Sequence, residues 1–328
     1  MRLKRRRLLY RALRKRRQLT PISDRTSQIS AGEILAFSTV RNEILRLPYF
    51  LDYYRDQGVT KFLFVDNNSD DGTADYLAAQ PDVSLWSTEH SYKLSRFGMD
   101  WVTWLLMKYG HGHWCLTLDA DEILVYPHCD TRPLRQLTEQ LDHVKSRSFG
   151  AMMLDMYPKG ALDAQTYQSG QDPFEILQWF DADNYHSQMQ PHLQNRWIQG
   201  GVRERMFFAN KVERAPTLNK TPLVKWNRRY AYVSSTHALL PRRLNDVFDV
   251  QNNSKITGIL LHSKFLHTIA NKSVEEKKRQ EHFANSTLYD SYYDHLTQSP
   301  DLWCETSRQY KNWQQFEALG LLSRGDWD

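Results

Sequence analysis

The chain has 328 residues, 41% of them hydrophobic and 25% charged, with 14 Gly and 12 Pro. These proportions exclude a collagen-like or largely disordered protein, and the length suffices for one large α/β domain or two small ones. The net charge of +5 is uneven: ten of residues 1–17 are Arg or Lys and none is acidic, which leaves about −5 for the remainder.

No run approaches the roughly 18 apolar residues of a membrane span, and no apolar signal core follows the basic N-terminus. Cys115, Cys129 and Cys304 form no CxxC pair and read as free thiols of a reducing, cytoplasmic compartment. Residues 1–32 read as a basic arm and linker, with ordered structure starting at Ile34.

The run Ile34–Val40 is short and mostly apolar, as a strand buried on both faces should be. Leu47, Phe50, Leu51 and Tyr54 then recur at the spacing of one helix face, and Gly58 suits its end. Lys61–Val65 is a second strand, Thr73 opens a short helix that Pro81 closes, and Val83–Trp86 is a third strand. Phe97, Trp101, Trp104 and Leu105 mark another helix, and His113–Leu118 is a further strand running into Asp119-Ala120-Asp121-Glu122. Repeated β–α units of this length predict a mostly parallel central sheet flanked by helices.

The second half is less regular. Residues 157–200 predict a loop-dominated lobe, with short strands at 223–226, 230–233 and 259–261. Helical composition covers 273–295 and 303–322. The resulting division is a basic arm and linker at 1–32, a regular β–α half at 33–150, a less regular, sheet-completing half at 151–270, and a helical segment at 271–328.

In such sheets ligands bind beyond the carboxyl ends of the strands. Three polar segments fall there: Ser38–Glu43, Asp66–Thr73 and Asp119–Glu122. Paired carboxylates after an apolar strand are costly unless a positive centre sits between them, and a hard divalent ion with diphosphate oxygens would serve. A D-x-D by itself is also an ordinary solvated turn, and Asp, Asn, Ser and Gly in the second segment suit any strand–helix connection. Their shared position after buried strands distinguishes them from those bland readings.

Taken in order, FSTVRNE (37–43), FVDNNSDDGT (64–73) and LDADE (118–122) resemble the nucleotide-binding half of bacterial glycosyltransferase family 2-like proteins, which have the GT-A fold. Similarity extends to glycosyltransferase family 92. GGVRERMF (200–207), TPLVKW (221–226), STHAL (235–239) and LLHSKFL (260–266) resemble the C-terminal blocks of the same group. The resemblance implies an inverting transferase dependent on Mn²⁺ or Mg²⁺. It would move a sugar from a nucleotide donor, UDP-linked by expectation, to a glycan or lipid-linked acceptor in surface polysaccharide assembly.

Carried over residue by residue, Thr39, Arg41 and Glu43 would line the nucleoside pocket. Asp66 would contact the base, with Asn67 beside it, and Arg96 would meet a phosphate. Asp119 would contact ribose and metal, Asp121 the metal, and His262 the metal or diphosphate. For the base that deprotonates the acceptor, Glu204 is the first candidate, with Arg203 and Arg205 expected to keep it ionised, and Asp183 is the second. Trp179, Tyr185, Trp197 and Trp226 are candidate sugar-stacking residues.

Two other classes fit part of the pattern. A sugar nucleotidyltransferase uses a related sheet, but Ser38–Glu43 lacks the glycine-rich phosphate loop that class needs. A non-catalytic glycan- or membrane-binding protein could keep the fold without the activity. The basic arm suits an anionic membrane surface, which would place the protein peripherally at the inner face of the cytoplasmic membrane. Nucleic acid is disfavoured, since no zinc pattern or regular aromatic platform accompanies the charge.

Overall fold

The structure, a computed structural model, describes residues 1–249, 254–279, 281 and 290–328. The chain opens with α1 (Arg2–Lys15), and β1 (Thr20–Ser23) joins the sheet edge antiparallel to a later strand. Ordered structure therefore starts at Arg2 and not at Ile34. The reason is partly apolar: Leu8 and Ala12 of the arm are buried, and Leu8 packs with Ala231 and Leu240.

The β–α units follow as the periodicity predicts. They are β2 (Ile34–Val40), α2 (Leu47–Asp56), β3 (Val59–Asp66), α3 (Thr73–Ala79), β4 (Val83–Ser87), α4 (Met99–Tyr109) and β5 (Trp114–Thr117). β2, β3, β4 and β5 are mutually parallel. Side chains of β2 alternate: Ile34 and Ala36 join the layer of Phe50, Leu51 and Tyr54, while Leu35 and Phe37 join Trp101, Val102 and Leu105 of α4. Helices thus cover both faces, and burying each such large side chain contributes roughly 2–3 kcal/mol.

The remainder completes the sheet in an order unlike that of the sequence. After β6 (Glu122–Val125), α5 (Leu134–His143) and β7 (Ser148–Asp155) come three short strands, β8 (Trp179–Asp181), β9 (His186–Gln190) and β10 (Asn195–Gln199). Then α6 (Gly201–Arg203) runs into a π-helical turn at Glu204–Phe208 and on to β11 (Asn219–Lys225). β12 (Ala231–Tyr232) and β13 (Leu239–Leu240) pair with each other, and β14 (Thr257–His262) returns to the centre. The tail holds α7 (Ile269–Arg279), α8 (Asp290–Thr297), β15 (Ser307–Gln309) and α9 (Trp313–Ala318).

The nine-stranded sheet has the order β1-β4-β3-β2-β5-β11-β7-β14-β6. The pairings make β2, β3, β4, β5, β7 and β14 run one way, with β1, β11 and β6 opposed. This is the α/β architecture with a mostly parallel central sheet flanked by helices that the sequence predicts.

Several local expectations change. β6, α5 and β7 lie where no element was anticipated, and the helix expected across 303–322 shrinks to Trp313–Ala318 after a short strand. The helical stretch expected over 273–295 is partly met by α7 and α8, while residues 280 and 282–289 lie outside the described residues. Trp226, a candidate sugar-stacking residue, is buried against Tyr230 and Tyr232 and belongs to the core. The three cysteines are free thiols. Among the described residues no helix is long and apolar enough to cross a membrane.

Candidate functional site

The carboxyl ends of β2, β3 and β5 lie side by side, so the three polar segments meet at one rim. Backbone hydrogen bonds fix this: Asn67 N donates to Val40 O at 2.8 Å, Thr88 N to Asp66 O at 2.9 Å, and Leu118 N to Phe37 O at 3.1 Å. Gly98, at the start of α4, has φ +74°, and a Cβ there would stand 2.6 Å from Thr39 Oγ1. Only glycine lets the α4 loop approach β2 this closely. Thr39 Oγ1 is buried there without a partner among the described residues.

The first two segments are stitched together by their own side chains. The buried Asp66 carboxylate accepts from Ser69 N and Ser69 Oγ, closing its turn. Asn67 Nδ2 donates to Thr88 O and His90 O, both at 3.0 Å. Asp71 accepts from Thr73 N at 3.0 Å and Ile44 N at 3.1 Å, and Glu43 N donates to Thr73 Oγ1. Arg41 donates to the carbonyls of Asn67 and Asn68 and pairs with Glu275 at 3.1 Å. These contacts explain the residue types by turn chemistry, and leave the rim, not the turn itself, to face a ligand.

Glu43 and Arg96 are also engaged. Glu43 bridges Arg46 at 2.9 Å and Lys272 at 2.5 Å. Arg96 donates to Asp100 at 2.8 Å and to Tyr232 O at 3.0 Å. As placed, Arg96 braces α4 against β12.

The third segment meets residues that arrive from far along the chain. Asp121 Oδ2 lies 3.1 Å from His262 Nε2, and His262 Nδ1 lies 2.6 Å from Asp155 Oδ1. Asp155 in turn accepts from Arg203 Nε at 2.6 Å. Topology produces this row. β14 lies between β7 and β6, with His262 opposite Asp155 on one side and Glu122 on the other. Ser263 N donates to Asp121 O at 2.8 Å and secures the loop.

The row is charged and buried. Desolvation opposes the Asp155 anion, but Arg203 and His262 outweigh it and bring its pKa down to about 2. Burial likewise opposes the Asp121 carboxylate and is overcome chiefly by His262, so Asp121 sits well below the usual range. Burial disfavours charged His262, yet Asp121 and Asp155 together raise it above its ordinary value. An ionised carboxylate can only accept, so Nδ1 donates to Asp155 and Nε2 to Asp121, and the Nε2 proton is the one a bound metal ion would displace.

Asp119 and Glu122 are served differently. Lys220, on β11 and only 3% exposed, reaches both: its Nζ is 2.8 Å from Asp119 Oδ2 and also contacts Glu122 Oε1. Burial opposes the ammonium, and the two carboxylates hold its pKa above the ordinary value nonetheless. The positive centre expected between the paired acids is therefore, for Asp119, a lysine of this chain.

A ring of further cations surrounds Asp121. Arg46 is buried, donates to Ser263 O at 3.1 Å and leaves Nε without a partner among the described residues. Arg203, also buried, leaves Nη2 likewise. Lys264 lies in the field of Arg203, Asp121, Asp155 and Arg46.

The base candidates separate cleanly. Asp183 is exposed in the loop between β8 and β9. Glu204 opens the π-helical turn and is 12% exposed at its side chain; its Oε2 is buried without a partner among the described residues, and Oε1 is 3.7 Å from His186 Nδ1. The flanking arginines do not keep Glu204 ionised as expected: Arg203 turns to Asp155, and Arg205 pairs with Asp181 at 2.9 Å. Burial instead raises the Glu204 pKa. Gly200, with φ +126°, lets the Asn184 carbonyl close over this turn, for a Cβ would stand 2.2 Å from it.

A divalent ion can be tested against this donor set. Asp121 and His262 Nε2 make a carboxylate–imidazole pair, and Asp155 supplies the acceptor that fixes a ligating histidine's tautomer. Among the described residues no group of three or more His, Cys, Asp or Glu could hold a metal alone. The residues therefore suit a hard ion that takes one or two protein ligands and fills its shell with phosphate oxygens and water. One oxygen of Asp119 is already engaged by Lys220.

No family model matches this chain, and no curated protein matches it. Among solved structures it is similar to a 4-diphosphocytidyl-2C-methyl-D-erythritol synthase, at 17% identity over 43% of this chain and 66% of that one, TM-score 0.27. A putative glucose-1-phosphate thymidylyltransferase from Bacillus anthracis is similar at 9% identity over 81% and 83%, TM-score 0.31. HddC from Yersinia pseudotuberculosis is similar at 10% identity over 75% and 99%, TM-score 0.31. Likenesses at this level concern architecture, and the site is argued from its own residues.

Proposed function

We propose that the protein is a transferase acting on nucleotide sugars with Mn²⁺ or Mg²⁺, and that it passes the sugar to a glycan or lipid-linked hydroxyl acceptor. The observation that carries this reading is the convergence of Asp121 and His262 with two buried guanidinium groups, each with one nitrogen (Arg46 Nε and Arg203 Nη2) that lacks a partner among the described residues, at the edge where three loops meet. Unpaired buried donors are costly, and a diphosphate supplies the acceptors they lack.

When bound, a divalent ion would stabilise the charge that grows on the leaving diphosphate. Arg46, Arg203 and Lys264 do the same from fixed positions, where preorganised charge favours the transition state over the ground state. Thr39, Arg41, Asp66, Asn67 and Asp119 line the nucleoside end of the rim. Asp155 orients His262. Glu204, desolvated and with one oxygen unpartnered, accepts the acceptor's hydroxyl proton; Asp183, exposed in its loop, is the poorer base.

Sugar nucleotidyl transfer is the second reading. It is the activity named for one of the similar structures, and the cations around Asp121 would equally suit an attacking sugar phosphate. Against it, Ser38–Glu43 has no glycine, and Arg41 fills its turn by capping the Asn67 and Asn68 carbonyls.

A panel of nucleotide sugars, incubated with Mn²⁺ or Mg²⁺ and scored for released nucleoside diphosphate, tests the first reading. Release that EDTA abolishes supports it. Pyrophosphate released from a nucleoside triphosphate plus sugar 1-phosphate supports the second. Calorimetry showing no binding of UDP with Mn²⁺ would favour a non-catalytic module on this fold.

A further inference from the structure

The N-terminal helix α1 has two unlike faces. Leu8 and Ala12 are buried, and Arg11 donates from Nε and Nη2 to the wholly buried Asp100, at 3.2 and 2.8 Å. Arg96 grips the other oxygen of Asp100. Arg11 Nη2 also reaches Leu94 O at 3.0 Å, and Arg16 lies over the Trp104 ring at 5.2 Å. The helix is therefore fixed to α4 and to the loop before it, close to the rim that carries Thr39 and Gly98.

The outward face is exposed and includes Leu3, Arg6, Arg7, Tyr10, Leu13 and Arg14. Leu3 is 79% exposed and Tyr10 60%. At 3.6 residues per turn these positions share one stripe about 16 Å long. Leu94, 69% exposed, lies beside the helix. No acid occurs before Asp24.

We propose that this face docks on an anionic lipid surface. Charge complementarity selects that occupant, because arginines interleaved with exposed Leu and Tyr give both headgroup attraction and shallow apolar insertion. Nucleic acid would match the arginines but not the apolar residues between them, and no aromatic platform or acceptor-reading side chain accompanies them. Because α1 is clamped through Asp100 to the segment that holds Arg96, docking would bring the candidate rim near the bilayer, where a lipid-linked acceptor resides. The proposal rests on the geometry of α1 and stands whichever transfer reaction the rim performs.

Co-sedimentation of the full chain with phosphatidylcholine vesicles, with and without about one third phosphatidylglycerol, tests this. Binding is expected only to the anionic vesicles and should fall with added salt. Arg6→Ala/Arg14→Ala should weaken it roughly 30-fold, from the loss of two surface cations. Leu3→Ala/Tyr10→Ala should weaken it on the order of 10-fold through lost apolar contact. These side chains are exposed, so the thermal midpoint of each variant stays that of the parent. Equal binding to neutral vesicles, unchanged binding in both variants, or tighter capture of duplex DNA than of anionic vesicles at the same salt would overturn the proposal.

Discussion

The N-terminal β–α units and the returning strands β7, β11 and β14 build one rim by opposite means. In the first region the polar loops hold themselves: Asp66 binds Ser69, Asp71 binds Thr73, and Asn67 binds the next loop. In the second, single charged residues reach across more than a hundred positions, as Lys220 does to Asp119 and His262 to Asp155 and Asp121. The first region shapes the rim and the second charges it. Mutations should divide accordingly.

Lys220→Met should give the largest effect. It leaves Glu122 buried without its cation, with only the Asp119 N–H still donating to Oε2, which costs roughly 3–5 kcal/mol by analogy with other broken buried pairs. Denaturant unfolding would measure it, and adding Glu122→Gln should recover part of the loss. No loss in the single variant would mean that Glu122 is not held ionised by Lys220.

Asp121→Ala comes next, with turnover reduced on the order of 100-fold or more and the fold retained. Isothermal titration with Mn²⁺ in the presence of UDP should show the affinity reduced in parallel. Undiminished turnover would remove the second region's claim to the chemistry.

Acid sensitivity follows from Asp155. A carboxyl group whose pKa is depressed to about 2 contributes stability that is fully present above the unfolded value near 3.8 and is lost as pH falls towards 2. The shift corresponds to about 2 kcal/mol. Unfolding free energies at pH 7, 4 and 2.5 should fall across the last two for the parent. Asp155→Asn should be less stable at neutral pH and flatter below pH 4.

The smallest effect belongs to the self-held loops. Asp71→Ala removes the acceptor for two backbone N–H groups and should lower stability by about 1 kcal/mol. Apparent affinity for donor should change more than turnover, since the loop shapes the rim without touching the reacting atoms. A turnover loss as large as that of Asp121→Ala would erase the contrast between the two regions.

This contrast also explains what the sequence made legible. β2, β3, β4 and β5 showed as apolar runs because they are buried on both faces, and their loops showed as polar residues directly after those runs. β7 and Asp155 were readable by the same rule, for the acid directly follows the apolar run at 149–154. Lys220 gave a weaker signal, one of two lysines in a short strand whose other end is apolar. Neither its partners nor the placement of β14 between β7 and β6 could be read locally, because strand order depends on packing between distant segments. Trp226 shows the converse: an aromatic residue suits a sugar ring and a protein core alike until neighbours are known.

The position of β14 has a consequence for biosynthesis. β6 directly follows the Asp121 loop, and its pairing partner is β14, made more than a hundred residues later. A nascent chain halted before Thr257 would leave β7 as an open sheet edge and β6 without a strand to pair with, and Asp121 would lack both the Ser263 anchor and the His262 imidazole. The completed Asp121–His262–Asp155 row therefore arrives only with the last quarter of translation, and ribosome-stalled fragments ending upstream should engage chaperones at that unsealed edge.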